Sequence, residues 1–253
     1  LLGDVRDKDR LDYAFRGTDI CFHAAALKHV PFCEYNPFEA LKTNAVGTQN
    51  VIEVAIRNNL EKVVAVSTDK AVSPESVLGA SKLMMERLVA AANLMVGKSR
   101  TRFACVRFGN VTGSRGSVTH LWRKQIEDGG PVTVTHKRVK RFFMEIPDAV
   151  SLIFDAMRLM HGGEIFVLKM KKRFVYDYAR EVIKKFGNGK KIAIQFVGLR
   201  PGEKLDEELF TKDERSHMLE IKSMYIITPQ HLVPDYTYHQ VNYPGSHKAV
   251  VRR

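Results

Sequence analysis

Asp69 and Lys70 stand side by side in the stretch STDKAVSPESVLGASK, residues 67–82. An adjacent carboxyl and amine offer an acid and a base side by side, the pair that proton-transfer chemistry needs. Further along, Leu78 and Lys82 are four positions apart and on a helix would face the same way. Lysine can hold a polar ligand there; leucine has no ionisable group. Metal chemistry is not expected. Cys21, Cys33 and Cys105 are odd in number, widely spaced and free of any C-x-x-C, which argues against a zinc site or a disulfide framework. Cys21 and Cys105 lie in apolar runs and read as buried small hydrophobes.

The elements around these residues alternate. ICFHAAA (20–26) reads as a buried strand running into a loop, residues 38–59 as a helix stopped by Asn58-Asn59, and KVVAVST (62–68) as a valine-rich strand. A second helix over 80–96 and a strand over 102–111 repeat the pattern, which predicts a parallel sheet with covering helices. Asp69-Lys70 then falls at the carboxyl end of a strand, where ligands bind in such sheets. After GNVTGSRGS (109–117) the texture loosens: a helix near 119–128, a strand over 131–136, a helix over 146–160, a strand over 164–170, a helix over 176–186 capped by Gly187, and a strand over 190–198.

The expected fold is α/β: a doubly wound, Rossmann-like parallel-sheet domain over 1–112 with 146–170, and a smaller C-terminal α/β domain over 113–145 with 171–228. Residues 229–253 mix Pro, Tyr, His and Gly without periodicity and read as an extended tail. No G-x-G-x-x-G turn is found. The opening LLGDVRD reads as the end of a third strand, with Asp4 able to hydrogen-bond an adenine edge, so the first strand-helix-strand is expected to have been cut away or to be supplied elsewhere.

Composition narrows the classes further. With 253 residues, 45% of them hydrophobic, the chain can bury one or two cores, and global disorder is not expected. No apolar run approaches the roughly 20 residues of a membrane span, and no basic-then-apolar leader opens the chain, so a cytoplasmic location is expected. A net charge of +12 raises nucleic acid as a partner, yet the basic residues come in short pieces between apolar segments, with no nucleic-acid-binding motif.

The residues 67–82 belong to an ordered set. HAAALKHVP (23–31), TNAVGTQN (43–50), RFGNVTGSRGSV (107–118), KRFFMEIPDA (140–149), HGGEIFV (161–167) and GLRPGEKLDEELF (198–210) accompany them. From about residue 2 to about 228, this set resembles the inverting UDP-N-acetylglucosamine 4,6-dehydratases of flagellin-glycan and capsule biosynthesis, in the extended short-chain dehydrogenase/reductase superfamily. The resemblance implies NAD or NADP as cofactor, a UDP-sugar such as UDP-N-acetylglucosamine as substrate, and a homo-oligomer. It implies catalytic roles for Asp69 as acid, Lys70 as base, Thr68 and Lys82. Cofactor contacts fall to Asp4, Val5, Ala24, Ala25, Ala26, Asn44, Ser67 and Lys82. Substrate contacts fall to Lys28, Asn110, Arg115, Ser117, Arg141, Arg200 and Glu203, guanidinium groups being suited to phosphate oxygens. His23 reads as a structural residue hydrogen-bonded in its turn.

One departure stands out. The superfamily has tyrosine where this chain has Leu78, and the membrane-anchored and capsule branches resemble this chain in placing an apolar methionine there. Deprotonation then rests on Thr68, Asp69, Lys70 or water. A UDP-sugar 4-epimerase shares the fold and the carbon 4 oxidation, and a non-catalytic sugar-nucleotide-binding relative would explain Leu78 differently. Loss of water from the product separates the first from a dehydratase; absence of turnover marks the second.

Overall fold

The computed structural model describes residues 1–114, 116–229 and 243–248. Two compact units emerge: Leu1–Phe108 with Ser151–Lys169 and Glu208–Arg253, and Gly109–Val150 with Met170–Glu207.

The first unit is built on a seven-stranded sheet. Its strands in chain order are β1 (Ile20–His23), β2 (Lys62–Thr68), β3 (Arg102–Phe108), β4 (Ile165–Leu168), β5 (Met218–Glu220), β6 (Met224–Ile227) and β7 (His247–Lys248), arranged β1-β2-β3-β4-β6-β5-β7. β1 to β4 pair in parallel, as the alternating pattern predicts, and the remaining pairs are antiparallel. The valine-rich β2 is central, with Val63, Val64 and Ala65 at most 1% exposed. Helices α1 (Lys8–Phe15), α2 (Gly47–Arg57) and α3 (Val77–Met95) belong to this unit.

Several expectations need correction. Residues 208–228 were expected in the smaller domain, yet β6 zips onto β4 with Met224 opposite Leu168 and Ile227 opposite Ile165, because its apolar side chains need the main core. The helix expected over 38–59 is not uniform: Pro37–Ala40 is α-helical, Leu41–Val46 is a π-helical turn, and α2 follows. Of the extended tail, the described residues 243–248 are docked: Tyr243 is 1% exposed, its hydroxyl donates to Glu164 at 2.7 Å, and β7 pairs with β5. The rest of the tail beyond Pro229 lies outside the described residues.

The second unit holds a three-stranded sheet, Asn110–Val111, Lys140–Met144 and Lys171–Phe174, and a parallel pair, Val132–Val134 with Ile194–Phe196. Trp122 anchors its core with Ile126, Val132, Val134, Ala179 and Val182, and the indole donates to the Thr133 carbonyl at 2.7 Å. The strand expected over 102–111 is therefore two strands in different sheets. Gly109 separates them: a Cβ there would lie 2.7 Å from both the Phe142 Cβ and its carbonyl oxygen.

Candidate active site

β2 ends in Thr68, which caps the short helical turn Asp69–Ala71. The Thr68 hydroxyl donates to Asp69 Oδ1 at 3.0 Å, and Lys70 Nζ donates to the same oxygen at 2.9 Å. Asp69 is 0% exposed, and its other oxygen, Oδ2, is buried without a hydrogen-bond partner among the described residues. Leaving such an atom unsatisfied costs about 1–3 kcal/mol. The Lys70 side chain is 20% exposed, so the pair is reached from its lysine side. The sequence-predicted acid and base are thus in contact at a strand end.

α3 delivers the other half of the motif. Its start is fixed by Ser76 Oγ, which accepts from the Gly79 amide at 3.1 Å, and by Glu34, which accepts from the Val77 amide at 2.7 Å. Leu78, 4% exposed, packs with Cys33 and Ala40, flanked by Leu27, Val30 and Val77. The leucine therefore fills an apolar seam. Lys82 is 5% exposed; its Nζ donates to the Val66 carbonyl on β2 at 2.8 Å and lies 3.4 Å from the Met85 sulfur. Burial pulls its pKa down to about 8, opposed by Cys105, Glu86 and Cys33. Cys33 and Cys105 are the buried thiols, while Cys21 is half-buried, its pKa raised to about 11 by burial.

The loop after β1 presents small residues. Ala24 and Ala25 are exposed, Ala26 is partly so, and Lys28 is exposed. Asn44, within the π-helical turn, pins this loop: its Oδ1 accepts from the Leu27 amide at 2.8 Å, and its Nδ2 donates to the Leu27 carbonyl and to Ser81 Oγ on α3, both at 3.0 Å. π-turns are frequent at functional sites, and this one aims an amide at two elements at once. His23 is structural in its contacts. Thr48 Oγ1 donates to the Asn44 carbonyl and so accepts from His23 Nε2 at 2.9 Å, which fixes the proton on Nε2. Burial and the Lys82 charge hold its pKa down to about 4.

Two expected cofactor contacts are occupied internally. The Asp4 carboxylate is gripped by Arg6 through Nε at 3.0 Å and Nη2 at 2.7 Å, which lowers its pKa to about 2, and the Val5 carbonyl accepts from Asn50 at 3.0 Å. Ser67 faces α3: its hydroxyl donates to Glu86 Oε1 at 2.6 Å. Glu86 in turn receives Arg107 through Nε at 3.0 Å and Nη2 at 2.8 Å, and Arg107 also reaches Glu214 and the Leu209 carbonyl. Sequence reasoning passed over this group. Its signals were an arginine inside the apolar run RFACVRF, a glutamate one turn after Lys82, and the helix-start pattern TKDE at 211–214.

In the second unit, Asn110 Oδ1 and Ser117 Oγ are buried atoms without partners among the described residues. Arg141 and Glu203 meet, but the guanidinium is 5% exposed and committed: Nη1 donates to the Lys140 carbonyl at 2.7 Å, and Nη2 to the Lys204 carbonyl at 2.8 Å and to Glu203 at 3.3 Å. Glu203 also accepts from Thr135 Oγ1 at 2.9 Å and from the Arg200 amide at 3.1 Å, closing the LRPGEK turn. Arg200 itself is exposed. Arg115 lies outside the described residues.

Among the described residues no group of His, Cys, Asp and Glu could hold a metal ion, and no helix is long and apolar enough to cross a membrane.

Comparison with known proteins brings this geometry into a family. A family model described as "Polysaccharide biosynthesis protein" matches residues 1–229. An "Uncharacterized membrane protein MJ1061" of Methanocaldococcus jannaschii is 52% identical over 233 residues, covering 90% of this chain and 70% of the relative. A protein of Campylobacter jejuni named UDP-N-acetylglucosamine 4,6-dehydratase (inverting) is 41% identical over 229 residues, 90% of this chain and 67% of its own. A Rickettsia canadensis protein named UDP-glucose 4-epimerase is also 41% identical, over 226 residues, 89% of this chain and 66% of its own. Among solved structures, Pen from Bacillus thuringiensis superposes with a TM-score of 0.88 at 46% identity, covering 91% of this chain and 72% of that one. With the parallel α/β sheet and a family match over nearly its whole length, the chain belongs to the polysaccharide biosynthesis protein family.

Proposed function

We propose that the chain serves NAD(P)-dependent 4,6-dehydration of UDP-N-acetylglucosamine, with inversion at carbon 5, for surface polysaccharide or glycan biosynthesis. The observation that carries this reading is the Asp69–Lys70 contact at the end of β2, with Asp69 buried. Moving one proton across that 2.9 Å contact turns an ion pair into a neutral amine and a carboxylic acid. Lys70 then accepts the carbon 5 proton, and Asp69 protonates the departing carbon 6 hydroxyl, which leaves as water. Thr68 donates to the same Asp69 oxygen and helps hold it in place. Return of a proton to carbon 5 on the opposite face inverts that centre.

The residues fit a dinucleotide. Ala24 and Ala25 at the end of β1 carry no side chain beyond Cβ and leave the backbone open to close approach, while Asn44 keeps their loop in place. A bound NAD(P) would supply the hydride acceptor for carbon 4 and the hydride donor for carbon 6. Lys82 stands beneath β2 with its ammonium held on Val66, suited to a ribose hydroxyl. Asn110 Oδ1 and Ser117 Oγ, without partners among the described residues, suit hydroxyl or amide groups of a sugar nucleotide, and Arg200 suits its phosphates.

A second reading, a UDP-sugar 4-epimerase, is favoured by the relative of that name at equal identity. The protein incubated with NAD(P) and UDP-N-acetylglucosamine distinguishes them by product mass. Loss of one water supports the dehydratase; an isomer of unchanged mass supports the epimerase and overturns it.

A further inference from the structure

Arg107 lies on β3 at 0% exposure, where an apolar side chain would be expected. Its donors are all spent. Nε and Nη2 grip Glu86, Nη1 donates to the Leu209 carbonyl at 2.7 Å and to Glu214 Oε2 at 3.1 Å, and Nη2 meets Glu214 Oε1 at 2.8 Å. Burial works against the guanidinium charge, and the two carboxylates outweigh it, so its pKa rises. Both carboxylates are themselves buried, Glu86 at 1% and Glu214 at 4% exposure.

A buried ion group of this kind adds little stability over an apolar replacement of the same volume, so stability alone does not account for it. Its bonds converge on the candidate site. Glu86 accepts from Ser67, the residue before Thr68-Asp69-Lys70, and sits one helical turn after Lys82. Lys82 reaches back to Val66 on the same strand. On the far side, Glu214 closes a capping box with Thr211, so it is presented by an ordered turn: the Thr211 amide donates to Glu214 at 2.7 Å, and the Glu214 amide donates to Thr211 Oγ1 at 3.2 Å. Arg107, Glu86, Glu214 and Lys82 together balance in charge.

We propose that Arg107, Glu86 and Glu214 are positioning residues that lock the Ser67–Lys70 strand end and α3 to the segment Leu209–Ser216, so that the Asp69–Lys70 pair holds its working geometry only while that segment is docked. The inference rests on the acid–base reading above for its effect on turnover, and on geometry alone for its effect on order.

The test uses the full chain and two isosteric variants, Glu214→Gln and Glu86→Gln. Amide hydrogen exchange at Thr68–Ala71 is expected to quicken in both by about tenfold or more, with β1 amides unchanged, because local opening there loses a brace. Turnover is expected to fall about tenfold, with KM for the UDP-sugar held within about twofold, the signature of lost transition-state positioning. That split between KM and turnover is the readout a merely structural role would not move, and Lys82 reports separately that the Glu86 charge has been removed. Its neighbours are Glu86 on α3, Cys105 on β3, Cys33 on the helix Val30–Tyr35 and His23 on β1. Removing the Glu86 charge shifts its titration, followed by NMR of the labelled ε-carbon, toward acid.

Wild-type exchange at Thr68–Ala71 in both variants overturns the proposal, as does turnover unchanged in an active enzyme. Should Glu86→Gln fail to fold, Thr211→Ala loosens the same segment and carries the same exchange expectation. A wild-type chain without turnover sinks the acid–base reading, while the exchange result still decides the clamp.

Discussion

Gly79 lies so close under the carbonyl of Lys70 that a Cβ at residue 79 would collide with that oxygen, and with little room left beside Pro74. In an open helix, alanine is favoured over glycine by about 1 kcal/mol. Here the sign reverses, because α3 can approach the acid–base turn only through a residue without a side chain. Gly79→Ala is expected to lower the melting temperature by a few degrees and to reduce turnover, read by calorimetry and steady-state rates. A raised melting temperature with full activity contradicts this contact.

Lys82 makes a prediction about pH. Its pKa falls from 10.5 in the unfolded chain to about 8 in the fold. Below about pH 8 both states carry the proton, and the full cost of burying the ammonium, roughly 3 kcal/mol, weighs on the fold. Between pH 8 and 10.5 the folded state sheds its proton first, so this cost is relieved as pH rises. Lys82→Met is expected to be more stable than wild type at pH 7 in urea, by a margin that shrinks toward pH 10. A margin independent of pH counts against it.

Leu78 fills the seam with Cys33 and Ala40, which bears on the tyrosine that the wider superfamily has there. Leu78→Tyr must place a larger ring and a hydroxyl in that seam, and is expected to cost about 1–3 kcal/mol without raising turnover. Leu78→Ala is expected to cost about 2–5 kcal/mol through the cavity left behind. Chemical denaturation measures both, and a gain of activity in Leu78→Tyr would show that the leucine is a lesion.

Arg141 and Arg200 divide in role, although both were expected at phosphate. Arg141 binds carbonyls of its own chain, and its loss takes a donor from the Lys140 and Lys204 carbonyls and the guanidinium charge from Glu203, which keeps only the Thr135 hydroxyl and the Arg200 amide of its named partners. Arg141→Ala is expected to destabilise by about 3–5 kcal/mol. Arg200 is exposed, and Arg200→Ala is expected to raise KM for the UDP-sugar about tenfold at unchanged stability. The reverse pattern would exchange their roles.

Where local pattern decides structure, the sequence was legible. The valine run at 62–68 is β2 to the residue, and the amphipathic helix read over 80–96 is α3 over Val77–Met95, its start displaced only by the Ser76 cap. The Asp69–Lys70 contact followed from adjacency. What sequence hid were partners far along the chain: Arg107 meets Glu86 at a separation of 21 residues and Glu214 at 107. Strands β5 and β6 were missed because they are short and are defined by pairing with β4 and with each other. The strand read through 102–111 broke at Gly109, where contact with Phe142 rather than hydropathy sets the turn.

In the proposed reaction Lys70 takes the proton whose loss drives elimination. A single-turnover experiment with Lys70→Ala, NAD(P) and UDP-N-acetylglucosamine tests it most directly, following nicotinamide absorbance for carbon 4 oxidation and mass spectrometry for water loss. Oxidation is expected to persist while water loss slows by about a hundredfold to ten-thousandfold. Water loss at the wild-type rate in Lys70→Ala would contradict it.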